Sequence, residues 1–411
     1  MKFIRNIFCR MCNSKKFISV INLGNHPLVN RLKSSKSVNI KDPFFPLHVK
    51  QCKKCKLVQL REVIDADEIY KKINYLYFSS DMPNLKKYFY SYSNDLKKRF
   101  LKKNQLVVEI GCNDGLMLRN FKKNYKILGV DPATNVVLRA LNNNLNVIPE
   151  YFTENIAEKI NSEYGNAQLI YGNNCIAHLN NLKDLMRGVA KLLDKKGVFV
   201  IECNYWGKMV EDSIYSLIYH DHFSYFSLKN FVDFSKKYRM HVFDSMVTEA
   251  QGGSLRVFIS KNKRKKTKRF LSLLQKENDT KLNTFKTSKK YKNEVLKKTQ
   301  KLKKLILSIK KKNLKISGYG AAAKGMTILK SSGIGKKHLD YFVDDSPAKQ
   351  GLYTAGDNIP IISRKDAEKK LPNYFIILAP NYTKLILEKE KKFIKNGGKF
   401  IVLSKGIEVI D

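Results

Sequence analysis

Twice in this chain an apolar run of strand length closes in a glycine-rich turn and passes into a helix-permissive stretch, first as LVVEIGCNDG (106–115) and again as LKISGYGAAAKG (314–325). Further apolar runs follow each turn. KILGVDPA (126–133), LNVIPE (145–150), AQLIYGNN (167–174) and KGVFVIECN (196–204) come after the first, and LDYFVDDSPAKQG (339–351), NYFIILAPN (373–381) and KFIVLSKG (399–406) after the second. Strands that alternate with helices build parallel, doubly wound sheets. The expected class is therefore α/β, with a central domain over 105–262 and a smaller Rossmann-like domain over 313–411. A chain of 411 residues has room for two or three domains of roughly 100–200 residues each.

The N-terminal part is built differently. Residues 1–65 carry CRMC and CKKC, so Cys9, Cys12, Cys52 and Cys55 form two CxxC knuckles around a 39-residue insertion. Four thiolates suit a tetrahedral Zn²⁺, and because they leave no open ligand position the metal would be structural, folding a segment poor in core residues. The insertion is longer than the usual spacing of about 15–20 residues. Between this module and the first sheet, 66–104 reads as a helical connector or lid, with Leu85, Tyr88, Phe89 and Tyr92 on one stripe. Residues 263–312 are Lys-rich, free of Gly and Pro, and read as a helical linker.

The formal charge is +42, which suits an anionic partner. Only 13 of the 78 basic residues are arginine, however, and the lysines are scattered, whereas base-edge and bidentate phosphate recognition favours arginine. A specific nucleic-acid partner is not expected; the field would steer a small anionic substrate. No run of about 18 uncharged apolar residues offers a membrane span. The start, MKFIRNIFCRMCNSKK, lacks the apolar core and cleavage site of a signal peptide. A cytoplasmic protein is expected, a monomer or weak oligomer with no membrane partner.

The first turn departs from a dinucleotide fingerprint, because Gly111 and Gly115 lie four apart rather than in the GxGxxG spacing that holds a pyrophosphate. Glycine still allows close backbone approach, and the turn's amides stay free. Glu109 precedes the turn, and Asp131 ends the second strand, where an acid can accept ribose hydroxyls. A ligand with a ribose and a cationic group but no phosphate fits this set, and S-adenosylmethionine (SAM) has that shape. The expected cofactor contacts are Glu109, Gly111, Asn113, Gly115 and Asp131, with Asn173 and Asn174 at the end of the fourth strand. The pattern is that of a class I (Rossmann-like) SAM-dependent methyltransferase domain.

Other blocks extend the pattern in chain order: LGNHPLVNRL between the knuckles, LVQL after them, YLYFSS (75–80), VEIGCNDG, CIAHL (175–179), YHDHFSYFS (219–227), QGGSLRVF (251–258), GYGAAAKG (318–325) and VDDSPAKQG (343–351). Over about residues 9–405 the chain resembles the zinc-containing sugar C-methyltransferases of deoxysugar biosynthesis. The resemblance implies transfer of a methyl group from SAM to a carbon next to the ketone of a nucleotide-linked keto-deoxysugar. Such chemistry needs a base for the α-proton and donors at the enolate oxygen. The resemblance assigns the base to His222, with Asp221 and Tyr219 as neighbours, and a second active-site histidine to His178. It also brings in a tyrosine of YLYFSS, Tyr75 or Tyr77, which sequence does not separate. His220 is expected to be structural, since no further His or acid cluster completes a metal shell with it. Three positions depart from the family pattern: Asp221 stands for the usual Glu, Gln251 for a His before GGSLR, and Pro380 for a Trp before Asn381.

The second turn satisfies GxGxxA over Gly318–Ala323, with Asp344 about 20 residues on, so an NAD(P)-dependent oxidoreductase is an alternative. A sugar nucleotide presents the same pyrophosphate to the same helix start. The resemblance places the nucleotide here, with Tyr319, Ala322 and Lys324 near the pyrophosphate and Asp344 and Asn381 as further contacts. Arg256 either enters an ordinary strand or meets a phosphate. An O- or N-methyltransferase on another small molecule is the remaining alternative.

Overall fold

All five residues of the strand Leu106–Ile110 are buried, as a strand covered by helices on both faces requires. In the computed structural model, which describes residues 3–72, 75–82, 84–403 and 406–411, this strand lies within a seven-stranded sheet. The spatial order is His241–Thr248, Ser254–Ser260, Leu193–Asn204, Ala167–Asn173, Leu106–Ile110, Lys126–Val130, Val147–Ile148, and the last five run parallel. The chain goes from Leu106–Ile110 first to one side and later to the other, and such a switch opens a crevice at the carboxyl ends of the strands.

The expectation of purely parallel sheets fails at one edge of each. His241–Thr248 and Ser254–Ser260 form an antiparallel hairpin, and the second of these also runs antiparallel to Leu193–Asn204. Gly252 and Gly253 take φ of +90° and +120° at the reversal, so the chain turns back without a crossover helix. In the C-terminal sheet, Ile361–Ile362, Phe342–Val343, Ile316–Tyr319, Tyr374–Ile377 and Lys399–Val402 are parallel, and Glu408–Ile410 closes the edge antiparallel. Between the sheets run the helices Lys268–Asp279 and Phe285–Lys311. The longer one is Lys-rich yet buries Tyr291, Val295, Leu302, Ile306 and Ile309 along one stripe, the spacing that docks an amphipathic helix.

The N-terminal sheet pairs Phe17–His26, Phe45–Cys52 and Val58–Leu60 antiparallel, and takes its fourth strand, Ser224–Tyr225, from the distant YHDHFSYFS segment. At one end the sulfur atoms of Cys9, Cys12, Cys52 and Cys55 all lie within 4.8 Å of one another, with Cys9–Cys55 at 3.3 Å and Cys12–Cys52 at 3.5 Å. Tetrahedral zinc with ligands at 2.3 Å needs sulfurs about 3.8 Å apart, so the four thiols fit that ion. At the other end the long insertion docks on the C-terminal domain. Lys33 and Tyr353 exchange backbone hydrogen bonds at 2.9 and 2.8 Å, Gly356 N donates to Asp42 Oδ2 at 2.8 Å, and Asn358 Nδ2 donates to Val38 O at 3.0 Å.

Arg256 is a strand residue and not a phosphate contact. Its Nε donates to Glu202 Oε2 at 2.8 Å, its terminal nitrogen donates to the Tyr88 hydroxyl at 2.8 Å, and its guanidinium lies 3.2 Å from the centre of the Tyr92 ring. The alternation of the strand turns this side chain inward; the ion pair joins two strands of the sheet, and the contacts with Tyr88 and Tyr92 tie the connector helix Leu85–Phe100 to them. Removing one partner of a buried pair strands the other charge. Arg256→Leu is therefore expected to destabilise the fold by about 3–5 kcal/mol, measured by denaturant unfolding; a loss within experimental error would contradict the ion-pair role. Chelation of zinc is expected to lower the thermal midpoint and expose the four N-terminal cysteines to a thiol reagent together, while Cys112, Cys175 and Cys203 stay protected until global unfolding.

Candidate active site

The turn after Leu106–Ile110 is shaped by three residues with positive φ: Gly111 (+68°), Asn113 (+53°) and Gly115 (+74°). A Cβ on Gly111 would fall 2.5 Å from that of Cys175, and one on Gly115 would meet Leu145 at 2.1 Å, so neither site admits a side chain without rearrangement. Asp131, at the carboxyl end of the neighbouring strand, accepts from the amides of Asn113 at 2.8 Å and Ala133 at 2.9 Å. Each oxygen keeps a lone pair for a ligand hydroxyl. Burial raises the Asp131 carboxyl to about 6, with those two amides opposing the rise.

Across the turn lies the segment Tyr75–Asp81, latched by side-chain amides. Asn113 Oδ1 accepts from Ser79 N at 2.7 Å while its Nδ2 donates to Tyr77 O at 3.0 Å. Asn135 grips Tyr75 in the same two-sided way, and Asp114 Oδ2 accepts from Ser80 N at 3.0 Å. The Asn113 side chain is thus engaged with this lid. Glu109 is also engaged elsewhere: it is buried, takes a hydrogen bond from the Tyr171 hydroxyl at 3.0 Å, and is held well above the usual carboxyl range by desolvation. Its place beneath the turn corrects the expectation of a direct cofactor contact. The oxygens Asn173 Oδ1, Asn174 Oδ1 and Asp114 Oδ1 are buried without a partner among the described residues. Unpaired buried acceptors call for a donor, and a cationic amino group beside a ribose would supply one. The set therefore fits SAM.

Beyond the crevice, residues 175–178 and 217–222 meet. His222 Nδ1 lies 2.7 Å from Leu217 O and 3.1 Å from the side-chain amide of Asn204. A carbonyl has no proton to give, so Nδ1 carries the hydrogen, Nε2 keeps the lone pair, and the Tyr219 hydroxyl donates to it at 2.8 Å. His178 stacks on His222 at 4.9 Å between ring centres. Its Nδ1 is 2.9 Å from the Tyr70 hydroxyl, and its Nε2 is buried with no partner among the described residues. Burial holds His222 neutral, the neighbouring His178 adding to the effect, and burial alone drops His178 to about 4. Asp221 is buried beside them and takes a hydrogen bond from Asn30 Nδ2 at 2.6 Å. His220 turns the other way, towards Pro46 O at 3.3 Å and the Phe45 ring. Of the two lid tyrosines, Tyr75 packs on Tyr70 and feels the charge of Asp221, whereas Tyr77 faces Gln251 and Tyr382.

Leu217 also lines a cavity of about 220 Å³ shared with Tyr215, Gln251, Lys298, Lys324 and Asn381. Lys324 Nζ donates to Gln251 O at 2.9 Å and Oε1 at 3.1 Å, and burial lowers this ammonium to about 8. Ala322 is the N-cap residue of the helix Ala323–Ser331, whose Lys324 lines the cavity. Asp344 Oδ2 accepts from Ala321 N at 2.8 Å and pairs with Lys349 at 3.2 Å, repeating the acid-to-turn contact of Asp131. Tyr319 points away. Its hydroxyl donates to Glu390 at 3.0 Å and its ring packs among Phe375 and Phe400, because strand alternation sends it into the core; this corrects its expected place at a pyrophosphate.

Asn30, Tyr70, Asn135 and Asn204 complete these contacts and escaped sequence reasoning. Asn30 lies in the LGNHPLVNRL block and Asn204 closes the KGVFVIECN strand, but nothing in their spacing announces a site.

Three family models match the chain: "Putative zinc binding domain" over 9–70, "Methyltransferase domain" over 85–238 and "C-methyltransferase C-terminal domain" over 249–403. The C-methyltransferase NovU of Streptomyces niveus is 30% identical over 398 residues, covering 96% of this chain and 94% of that protein. Among solved structures, an S-adenosylmethionine-dependent methyltransferase from Clostridium acetobutylicum ATCC 824 aligns at 11% identity over 45% of this chain and 94% of its own, with a TM-score of 0.35. That last likeness is too slight to build on. The zinc-type thiol cluster, the glycine turn with its acid and the full-length relative together place the chain in the C-methyltransferase family, as a SAM-dependent enzyme.

Proposed function

We propose that the enzyme methylates the carbon next to the ketone of a nucleotide-linked keto-deoxysugar, with His222 as the base that removes the α-proton. SAM, bound on the Gly111–Gly115 turn and Asp131, supplies an electrophilic methyl group on its sulfonium. The observation that carries the reading is the pair of stacked, neutral imidazoles. His222 offers a lone pair on Nε2 because Leu217 fixes its proton on Nδ1. His178 offers the complementary group: with Tyr70 donating to Nδ1, its Nε2–H is a buried donor with no acceptor among the described residues.

The α-proton passes to His222 Nε2, directly or through the Tyr219 hydroxyl that already touches it. The electron pair of the broken C–H bond moves into the enolate, whose oxygen takes the His178 hydrogen bond with Tyr75 near it. With SAM held on the turn, the enolate carbon would take its methyl group, the electron pair of the broken S–CH3 bond would stay on sulfur to leave the demethylated thioether, and the ketone would be restored. A buried, unpaired donor aimed at a developing oxyanion contributes more than it would in water. Lys324, Asn381 and the amides after Ala322 favour the pyrophosphate end of the substrate, since a desolvated ammonium gains most from an anion. Asp344 is already paired with Lys349, which leaves it less suited to a nicotinamide-linked ribose.

Mass spectrometry of candidate sugar nucleotides incubated with labelled SAM is expected to find one methyl gained and one exchangeable α-proton lost. His222→Ala should retain SAM binding and lose methyl transfer by about 10²–10⁴-fold; unchanged transfer would remove His222 from the role of base. Lys324→Met is expected to raise KM for the sugar nucleotide by about tenfold or more, with SAM affinity unaltered.

A further inference from the structure

The inter-knuckle insertion reaches the active site as well as the C-terminal domain. Its residue Asn30 donates from Nδ2 to Asp221 Oδ2 at 2.6 Å. The donor is anchored on both sides: Leu28 and Val29 just before it are buried, and Lys33 just after it exchanges backbone hydrogen bonds with Tyr353. Asp221 itself is 4% exposed and forms no ion pair among the described residues. The groups that face it are Tyr70 from the short helix Ala66–Tyr70, Tyr75 from the lid, Tyr219 from its own segment and Asn30 from the insertion. The buried carboxyl thus has one amide donor in contact and three phenols within electrostatic reach, with no ion pair among the described residues.

We propose that Asn30 is a positioning residue of the methyl-transfer site, its side-chain amide orienting the Asp221 carboxylate beside Tyr219, so that the zinc module is a working part of the active centre. Burial pushes the Asp221 carboxyl up to about 6, and the Asn30 N–H is the contact that opposes this rise. Without that donor the carboxyl rises further, so more of it is protonated at neutral pH and less negative charge is left to set the direction of the neighbouring hydroxyls. The inference rests on the reading that Asp221 and His222 serve proton abstraction.

The test uses the full zinc-loaded chain labelled with ¹³C-carboxyl aspartate. Infrared titration, with Asp221→Asn assigning the signal, reads the ionisation of Asp221 without any substrate. In Asn30→Ala the midpoint is expected to rise by about one pH unit or more. Methyl transfer at pH 7, with the sugar nucleotide that gains a methyl as acceptor, is expected to fall about tenfold while KM for SAM holds. The acidic limb of kcat should move up in step with the infrared midpoint. Asn30→Asp is isosteric and safeguards the test against misfolding; a second acid beside Asp221 should move the midpoint further up than alanine does. An unmoved Asp221 signal in both variants overturns the inference, and if Asp221→Asn is inactive at the same time the functional reading stands. Full methyl transfer by Asp221→Asn would instead sink that reading, whatever Asn30 does.

Discussion

A four-residue stretch of backbone, Phe223–Phe226, is hydrogen-bonded to three separate parts of the molecule, and the site exists only while all three hold. Phe223 donates its amide to Ala177 O at 2.8 Å, in the loop that carries His178, and its carbonyl accepts from Leu60 N at 2.9 Å. Ser224–Tyr225 completes the N-terminal sheet against Val58–Gln59. Phe226 O then accepts from Trp206 N at 2.8 Å, at the end of the central sheet. Buried backbone groups must find partners, so the stretch cannot shift towards one module without orphaning groups shared with another. The two imidazoles are stacked by this constraint rather than by their own attraction.

The chemistry of the site follows from burial more than from charge. The chain carries a formal charge of +42, yet the pocket around His178 and His222 is lined by neutral imidazoles, phenols and amides, with Lys324 within electrostatic reach. Desolvation disfavours the charged form of each group, which keeps His178 and His222 neutral, with one N–H each, and raises both Asp131 and Asp221 to about 6. On the proposed reading, an imidazole held in this state takes up a proton from carbon without first having to release one to solvent.

What the sequence made legible were the features with a local signature. The CxxC pairs, the two glycine turns and the acids at Asp131 and Asp344 each state their geometry within a few residues: the four thiols meet, and each acid takes a backbone amide of its glycine turn. Side chains whose direction depends on register were harder to read. Arg256 and Tyr319 stand on strands, and the period-two alternation of a strand turns both inward. The edge hairpin was hidden because Gly252 and Gly253 reverse the chain without a helix. Asn30 and Tyr70 were invisible for another reason: their partners Asp221 and His178 lie in a different module, and no periodicity in a single chain records a meeting of that kind.

The shared strand Ser224–Tyr225 has a consequence for how the protein is made. The N-terminal module leaves the ribosome first, but the edge of Val58–Leu60 waits for a strand that is synthesised far later. At ordinary elongation rates of about 5–20 residues per second, that edge stays bare for on the order of ten seconds. An uncovered strand is a template for pairing with other chains. The order of synthesis therefore exposes this enzyme to misassembly at the strand on which its active site is later completed, and expression at low temperature or with a chaperone that shields nascent edges addresses the step at which it is most vulnerable.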